Sequence, residues 1–271
     1  MWLCPVCGAP LKENTSGYAC ARGHSFDRSR SGYVHLLPAN RMHGKNPGDN
    51  RLMVEARQRF LSGGAYRPLA EQIADCAVRL VPDGCLLDIG CGEGHYTALI
   101  AQALQQNARR VSCYGIDISK IALAKAARAC PRAGFAVASA FHLPVADGSL
   151  AGAVNIFAPY CGEEIGRTLA PGGVFLLAIP GAEHLWELKQ ALYTVPYKNQ
   201  VKPFALEGLD LLETHELHYG MHLPDRQCVQ DLFMMTPYYY KTGREDQQKL
   251  ETATLPTVTA HFFVLAYRVQ K

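Results

Sequence analysis

A glycine-rich string in the first half of the chain constrains the fold more than any other feature. Residues 86–96 read LLDIGCGEGHY, with three glycines at alternate positions. The apolar residues before the glycines predict a buried strand at Cys85–Ile89, and the helical spacing after them predicts a helix from Tyr96 to about Leu104. Glycine is needed where the backbone turns sharply or where a ligand approaches without a Cβ in the way. The string therefore predicts a strand, a tight loop and a helix that place a ligand at the edge of a parallel sheet.

Strands and helices alternate through the rest of the chain. Further strands are predicted at Val111–Ile116, Gly134–Val137, Ala151–Phe157 and Val174–Ile179, and further helices at 66–80, 119–130 and Leu185–Leu192. Period-two patterns at Leu217–Leu223 and Val258–Tyr267 predict an antiparallel pair of strands, with Phe262 and Phe263 on opposite faces and a helix near Asp225–Met235 between them. The predicted fold class is α/β: a Rossmann-like domain whose seven-stranded, mostly parallel sheet ends in a terminal antiparallel hairpin.

An acid after the next predicted strand indicates which cofactor the loop holds. Asp117 lies 23 residues beyond Gly94, where a carboxylate can accept hydrogen bonds from both hydroxyls of a ribose. Dinucleotide-binding loops require the spacing G-x-G-x-x-G, whereas this loop has G-x-G-x-G with Glu93 inside it. Glu93 would repel a pyrophosphate but is tolerated beside a cationic amino acid or a sulfonium. The string resembles the first motif of the class I S-adenosylmethionine-dependent methyltransferases, which makes Asp88, Gly90, Gly92, Glu93, Gly94 and Asp117 the predicted cofactor-binding residues.

Four residues near the N terminus have the spacing of zinc ligands. Cys4 and Cys7 form a C-x-x-C pair, and Cys20 and His24 follow after a gap of 12 residues. About 35 residues with few large apolar groups cannot build a core alone, and zinc ligation of roughly 10–16 kcal/mol can supply the missing stability. Four protein ligands leave no open position on the ion, so we predict one structural Zn²⁺ in a ribbon. Basic and aromatic groups for RNA contact are Arg22, Arg28, Arg30, Phe26 and Tyr33.

Composition divides the chain into three regions and indicates where in the cell the protein is expected. We predict a zinc-binding RNA-recognition domain at 1–36, a basic linker with a short helix near Met53–Leu61 at 37–65, and the α/β domain at 66–271. The net charge of the 271 residues is only +3, but residues 1–60 hold nine basic and four acidic groups, which favours a polyanionic partner. Six cysteines that stand singly in apolar or helical stretches are predicted to be reduced, buried thiols: Cys76, Cys85, Cys91, Cys113, Cys130 and Cys161. The first residues have no secretory-signal pattern and no apolar run is long enough to span a bilayer, so we expect a cytoplasmic protein that does not enter the membrane.

The combination of ribbon and domain resembles the RlmA family of bacterial enzymes, which methylate guanine N1 in 23S ribosomal RNA. In the N-terminal half the matching residues are Cys4, Cys7, Cys20, His24, Phe26, Asp27, 32–34, 36–38 and 47–49. The match continues through 87–94, 158–159, 163–164, 171–173, 180–181, 184–185, 187–189 and 235–237. The form is closer to the Gram-negative branch than to the antibiotic-resistance branch. The resemblance implies that Tyr66 packs on the cofactor, that Gly92 and Glu93 contact it, that His184 lies at its pocket, and that two copies form a homodimer with an RNA cleft.

The resemblance also defines what the acceptor site must accomplish. Guanine N1 lies on the Watson–Crick edge, so the target must sit in a hairpin loop or be flipped out and stacked on aromatic rings. Candidate stacking residues are Phe157, Tyr160 and the cluster Tyr238-Tyr239-Tyr240-Lys241. Residues 155–160 read NIFAPY, a broken form of the Asn/Asp-Pro-Pro-Tyr motif of amino-methylating enzymes, which disfavours an exocyclic amine as acceptor. The sequence identifies no catalytic general base, because Glu163 and Glu164 fit the first turn of a helix equally well.

Two other functions remain open from the sequence. The chain could be a class I methyltransferase that acts on a small molecule or a protein, with the ribbon as a module that recruits a partner. It could also be a non-catalytic RNA-binding protein with a cofactor-shaped domain, although the intact glycines and Asp117 argue against this function.

Overall fold

A computed structural model of the protein describes residues 1–38, 48–250 and 253–270. Within these ranges, three short strands near the N terminus form one sheet and eight strands form a second sheet. The small sheet consists of β1 (Leu11–Glu13), β2 (Gly17–Cys20) and β3 (Ser25–Asp27). The large sheet consists of β4 (Val34–His35), β5 (Gly84–Ile89), β6 (Val111–Asp117), β7 (Gly134–Val137), β8 (Leu150–Ile156), β9 (Leu169–Pro180), β10 (Leu209–His222) and β11 (Thr257–Val269).

The centre of the large sheet is parallel, as the sequence predicted. The strand order is β10-β11-β9-β8-β5-β6-β7-β4, and β5 pairs in parallel with both β6 and β8. Leu86, Leu87 and Ile89 of β5 are buried, so both faces of the strand are covered, and the acid between them, Asp88, is buried as well. After β5 the chain adds β6 and β7 on one side of it and then returns to add β8 and β9 on the other side, so the strand order reverses between β5 and β8. Ligands of open α/β sheets bind beyond the carboxyl ends of the strands at such a point.

The helices pack against this sheet and include every helix that the sequence predicted. Their bounds are α1 (Arg51–Ser62), α2 (Arg67–Leu80), α3 (His95–Gln106), α4 (Lys120–Ala129), α5 (Gly162–Thr168), α6 (Trp186–Leu192), α7 (Arg226–Met234), α8 (Tyr238–Lys241) and α9 (Arg244–Lys249). The side chain of Asp225 accepts a hydrogen bond of 2.8 Å from Cys228 N and caps α7 as predicted. Asn50 caps α1 in the same way, through Met53 N.

The terminal antiparallel strands are also confirmed. β11 pairs with both β10 and β9 in antiparallel register, and Phe262 is buried while Phe263 on the other face is only partly buried. β10 begins at Leu209, earlier than the predicted Leu217. Its first half lies at the edge of the sheet and is largely exposed, so it lacks the apolar alternation that reveals a strand in a sequence.

The large sheet has eight strands among the described residues, one more than the seven predicted. The additional strand is β4, in which Val34 and His35 pair with Ala136 and Val137 of β7. A strand of two residues has no periodicity that a sequence analysis can detect. This strand belongs to the region that was predicted as a separate domain at 1–36, and Leu36 N donates a further hydrogen bond of 2.9 Å to Val137 O. The basic residues 39–47 of the predicted linker lie outside the described residues.

Trp2 joins the N-terminal region to the core of the large sheet. Its side chain is 2% exposed and meets the Tyr114 ring edge-on, with ring centroids 5.5 Å apart. Its backbone bridges to Val145, and the indole Nε1 has no hydrogen-bond partner among the described residues. Trp2 therefore stabilises this junction by apolar contact and not by its polar atom.

No helix in the described ranges is long and apolar enough to cross a lipid bilayer. All ten cysteines lie in these ranges and none is in a disulfide. Of the six cysteines predicted to be buried thiols, Cys76, Cys91, Cys113 and Cys130 are buried, while Cys85 and Cys161 are half-buried.

We expect Trp2→Ala to lower the free energy of unfolding by about 3–5 kcal/mol, because it opens a cavity at the junction. Trp2→Phe should cost clearly less, because it keeps an aromatic ring and removes an unpaired buried N–H. Urea unfolding of both variants at a fixed zinc concentration measures the difference. Equal losses for the two variants would show that the aromatic ring does not stabilise the junction.

Candidate active site

The four predicted zinc ligands lie together at one end of the small sheet. The candidate ligand atoms of Cys4, Cys7, Cys20 and His24 all lie within 4.8 Å of one another. The turn after Cys4 places Cys7 on the same side, because Gly8 N donates a hydrogen bond of 2.8 Å to Cys4 O. The second pair flanks the turn between β2 and β3, where Cys20 N donates to His24 O at 3.0 Å. Two knuckles, each built on a tight turn, thus contribute the four ligand atoms.

The separations of these atoms fit a tetrahedral zinc ion. Zn–S and Zn–N bonds of ordinary length place two sulfurs about 3.8 Å apart and a sulfur and a nitrogen about 3.6 Å apart. The observed distances are 3.8 Å between Cys7 Sγ and Cys20 Sγ, and 3.6 and 3.4 Å from His24 Nδ1 to Cys4 Sγ and Cys20 Sγ. Burial opposes ionisation of Cys20, but hydrogen bonds from Arg22 and His24 lower its pKa to about 6, which favours the thiolate that a metal requires.

A cavity of about 870 Å³ opens beyond the carboxyl ends of β5, β6 and β8. Seven of the eight predicted cofactor-binding residues line it: Tyr66, Asp88, Gly90, Gly92, Glu93, Asp117 and His184. Gly94 does not line the cavity; it precedes α3 as the N-cap residue with φ +81°. The structure therefore brings together residues that are more than 100 positions apart in the sequence, at the place where this type of sheet binds its ligand.

Two glycines of the loop are required by close packing. A Cβ at Gly90 would lie 2.3 Å from Ala158 Cβ, and one at Gly94 would lie 2.9 Å from Ala126 Cβ of α4. Both residues also have positive φ. The backbone N–H groups of Gly90 and Cys91 both donate to Ile116 O at 2.9 Å, so the loop is fixed to the end of β6.

Three carboxylates surround this loop: Asp88 and Glu93 are buried, and Asp117 is half-buried. Asp117 accepts hydrogen bonds from Gly92 N at 2.9 Å and from Ser119 N at 2.7 Å, and Asp88 accepts one from the Thr97 hydroxyl at 2.5 Å. Burial raises the pKa of Asp88 to about 7 and raises the pKa values of Glu93 and Asp117 as well. Neither carboxylate oxygen of Glu93 has a hydrogen-bond partner among the described residues.

These acids fit a cationic nucleoside. A carboxylate has about four acceptor positions, so Asp117 can accept two ribose hydroxyls in addition to its two backbone N–H groups. The unpaired oxygens of Glu93 can accept from an ammonium group of the ligand. A pyrophosphate in the same place would lie beside the carboxylate of Glu93 inside the loop, which disfavours a dinucleotide on electrostatic grounds.

A tyrosine–histidine pair forms another wall of the cavity. Tyr66 Oη lies 3.2 Å from His184 Nε2, and His261 N donates to His184 Nδ1 at 3.4 Å. Because Nδ1 accepts, neutral His184 carries its proton on Nε2 and donates it to Tyr66 Oη, which leaves the Tyr66 hydroxyl free to donate elsewhere. Burial, and to a lesser degree the positive charge of Lys189, lowers the pKa of His184 to about 3, so this imidazole is neutral at physiological pH.

Aromatic side chains line the outer end of the cavity. Phe157 directly follows β8 with φ +58°, a left-handed conformation that costs a non-glycine residue about 1–3 kcal/mol. Its ring is 42% exposed and lies parallel to His184, with ring centroids 6.3 Å apart. Other exposed aromatic residues that line the cavity are Phe141, Tyr197 and Tyr240. This end of the cavity presents flat apolar surface to solvent.

Only some of the candidate stacking residues line the cavity. Phe157, Tyr238, Tyr240 and Lys241 line the cavity, whereas Tyr239 does not. Tyr160 also lies outside it and packs against Phe175, with ring centroids 5.4 Å apart.

The two adjacent glutamates lie outside the cavity. Glu163 and Glu164 lie in the first turn of α5, and neither lines the cavity. The carboxylate of Glu164 pairs with Arg167 at 2.7 Å and accepts from Leu143 N at 2.6 Å.

Asp49, Arg57 and Tyr96 are among the cavity residues that were assigned no role from the sequence. Arg57 extends from α1, forms an ion pair with Asp49 and donates to Met235 O at 3.2 Å. Tyr96 Oη is buried without a partner among the described residues. Asp49 directly follows the matching Pro47-Gly48 pair, but the contacts of Arg57 are formed only in the tertiary structure.

Comparison with known proteins identifies a zinc ribbon and a methyltransferase domain in this chain. The family described as "RlmA, N-terminal", a zinc ribbon, matches residues 2–45, and a methyltransferase domain family matches residues 86–173. The 23S rRNA (guanine(748)-N(1))-methyltransferase of Streptomyces fradiae is 42% identical over 193 residues, which cover 70% of this chain and 66% of that protein. The putative 23S rRNA (guanine-N(1)-)-methyltransferase of Micromonospora griseorubida is 40% identical over 209 residues, covering 70% of this chain and 68% of that protein.

The chain belongs to the RlmA family. The X-ray structure of YjhP from Escherichia coli shares the fold, with a TM-score of 0.50 and 17% identity over 82% of this chain and all of that one. The family and the fold establish S-adenosylmethionine as the cofactor, with one zinc ion in the ribbon. Assignment to the Gram-negative branch stays a prediction, because the relatives do not distinguish the branches.

We expect Cys7→Ser to abolish zinc binding and RNA methylation while binding of S-adenosylhomocysteine is retained. None of the residues that line the cavity comes from residues 1–38, so the ribbon can lose its metal without removing a cavity wall. Zinc content by mass spectrometry and calorimetry with S-adenosylhomocysteine measure the two effects. Retained methylation of RNA in the zinc-free variant would contradict the assigned role of the ribbon.

The pKa of Asp88 predicts how cofactor binding depends on pH. A cationic ligand favours the ionised carboxylate, so affinity for S-adenosylmethionine should rise with pH up to about 7 and level off above it, with release of a proton on binding below that pH. Thr97→Val removes a hydrogen bond that lowers the pKa, and should move this rise to higher pH. Thr97→Ser keeps the hydroxyl and should leave the curve in place. Identical curves for the Val and Ser variants would show that Asp88 does not control binding.

Proposed function

We propose that this protein transfers a methyl group from S-adenosylmethionine to N1 of a guanine in a hairpin loop of 23S ribosomal RNA, in the cytoplasm. One observation carries the proposal: a single cavity has an acid-lined glycine loop at its inner end and exposed aromatic rings at its outer end. The inner end fits the nucleoside of the donor, and the outer end fits a flat base. Family membership supports ribosomal RNA as the source of that base.

The residues of the chain act mainly by placing the two reactants. The bound cofactor supplies an electrophilic methyl group, while Asp117 and the loop hold its ribose in a fixed position. Tyr66, held by His184, forms the wall between the inner end and Phe157. Methyl transfer requires the nitrogen, carbon and sulfur to be collinear, and such positioning alone can supply a large part of the rate enhancement.

Proton removal from N1 does not depend on His184 in this mechanism. A neutral imidazole whose pKa is about 3 accepts a proton poorly, so His184 serves as a positioning residue for Tyr66. The N1 proton leaves for solvent at the open end of the cavity as the base is held against Phe157.

The base reaches the cavity only when it is unpaired. Phe157 and Tyr240 offer exposed ring faces on which an unpaired purine can stack, and Lys241 adds a positive charge at the same end. The backbone of Phe157 has a strained, left-handed conformation, and such strain occurs preferentially at binding sites. This supports Phe157 as a stacking residue. The exposed Arg22, Arg28 and Arg30 of the ribbon are the proposed contacts to the phosphates of the RNA.

Transfer of tritiated methyl groups tests this function. Ribosomal RNA from a strain that lacks the enzyme is methylated in vitro, and the labelled nucleoside is identified after digestion. We expect label only in N1-methylguanosine, and little label with Asp117→Ala, because each unpaired ribose hydroxyl costs about 1–3 kcal/mol. Label in any other nucleoside, or efficient methylation of a small molecule or protein with none of RNA, would contradict the proposal.

The homodimer implied by the family resemblance stays a prediction. Sedimentation of the zinc-loaded protein with and without an RNA hairpin tests it, and a monomer under both conditions would exclude it.

A further inference from the structure

A cation and an anion face the inner end of the cavity from two different elements. Arg57 extends from α1 and Glu93 lies in the glycine loop, and both line the cavity. Glu93 is 6% exposed, yet neither of its carboxylate oxygens has a hydrogen-bond partner among the described residues. A buried carboxylate without partners is costly, so this pattern indicates a ligand that donates hydrogen bonds to Glu93.

Arg57 is fixed in place but keeps unused donors. Its guanidinium has five N–H groups, of which the bonds to Asp49 and Met235 O occupy only part. Nη1 lies 3.6 Å from the position that a Cβ on Gly92 would take, so the charged group is beside the glycine loop. No ion pair between Arg57 and Glu93 forms in the described structure, although the charge of Arg57 opposes the effect of burial on the Glu93 pKa. Arg57 and Glu93 therefore line the same end of the cavity without forming an ion pair with each other.

The surrounding charges select the class of ligand. Asp49, Asp88, Glu93 and Asp117 contribute carboxylates to this end of the cavity, and Arg57 is the arginine that faces them. A purely anionic group would be repelled by these acids. An α-amino acid carries one carboxylate and one ammonium on the same carbon, which matches one guanidinium and one unpaired carboxylate that line the same end of the cavity.

We infer that Arg57 and Glu93 form the recognition site for the amino-acid end of the methyl donor, with Arg57 on its α-carboxylate and Glu93 on its α-ammonium. The inference rests on the proposed function, because it describes how the same donor is held. Together with Asp117 on the ribose, this site fixes the donor at both ends and thereby sets the direction in which its sulfur faces.

Four related compounds test how the protein recognises the amino-acid end of the donor, independently of its adenosine end. Calorimetry with the zinc-loaded, full-length protein compares S-adenosylmethionine with its decarboxylated form, and S-adenosylhomocysteine with 5′-methylthioadenosine. The first pair differs only in the α-carboxylate, and the members of the second pair are both neutral at sulfur but differ in the amino-acid end. We expect the wild-type protein to prefer the first member of each pair by about 10- to 100-fold.

Variants assign that preference to the two residues. Arg57→Met should weaken S-adenosylhomocysteine by about 10- to 100-fold, leave 5′-methylthioadenosine unchanged, and remove the preference for the carboxylated donor. Arg57→Lys keeps the charge but not the forked donors and should show a smaller loss. Glu93→Gln should weaken S-adenosylhomocysteine and the decarboxylated donor, again without effect on 5′-methylthioadenosine.

Arg59 provides a matched control on the same helix. It pairs with Asp231 at 2.6 Å and does not line the cavity, so Arg59→Met also removes an ion pair of α1. All four affinities should be unchanged in this variant.

Two results would overturn the inference. One is a wild-type protein that binds the decarboxylated donor as tightly as S-adenosylmethionine, a measurement that does not depend on any variant folding. The other is an Arg57→Met protein that loses 5′-methylthioadenosine as strongly as S-adenosylhomocysteine, which would mean that Arg57 only supports the fold. Because these are binding measurements, a failure of the proposed RNA target would appear separately, as a labelled nucleoside other than N1-methylguanosine.

Discussion

Buried negative charge at the carboxyl ends of β5 and β6 is the constraint on which the site depends. Asp88, Glu93 and Asp117 are held there by the chain itself, and burial makes each of them costly to ionise. The fold offsets this cost with hydrogen bonds from Thr97 and from the backbone of Gly92 and Ser119. The cost that remains, at Glu93 above all, is offset when a positively charged nucleoside binds. The buried negative charge of the loop thus favours a positively charged ligand.

The zinc ribbon is built into the domain that binds the cofactor. Trp2, Leu11 and Val34 belong to the same apolar cluster as Leu87 and Ile116 of the central strands. β4 extends the large sheet from within the N-terminal region. The orientation of the ribbon relative to the cavity is therefore fixed by shared core and not by a linker alone. This arrangement also means that deleting the ribbon would damage the sheet, whereas replacing one zinc ligand leaves the cavity walls in place.

Local signals made most of the fold and much of the site predictable. The zinc ligands and the glycine loop are encoded by spacings of a few residues, and the structure brings each set together. The residues that the sequence did not reveal depend on distant contacts. In the sequence, Arg57 is one of several arginines in an amphipathic helix, and its position beside Gly92 is set only by the tertiary structure. β4 is too short to have a period, and Tyr160, which the sequence could not separate from Phe157, packs against Phe175 instead of lining the cavity.

The most direct test of this account is a crystal structure of the zinc-loaded protein with S-adenosylhomocysteine. The account predicts the ribose hydroxyls on Asp117, the amino-acid end between Arg57 and Glu93, and the sulfur facing Phe157. A ligand outside this cavity, or one with its adenosine at Arg57 and its amino-acid end at Asp117, would contradict it.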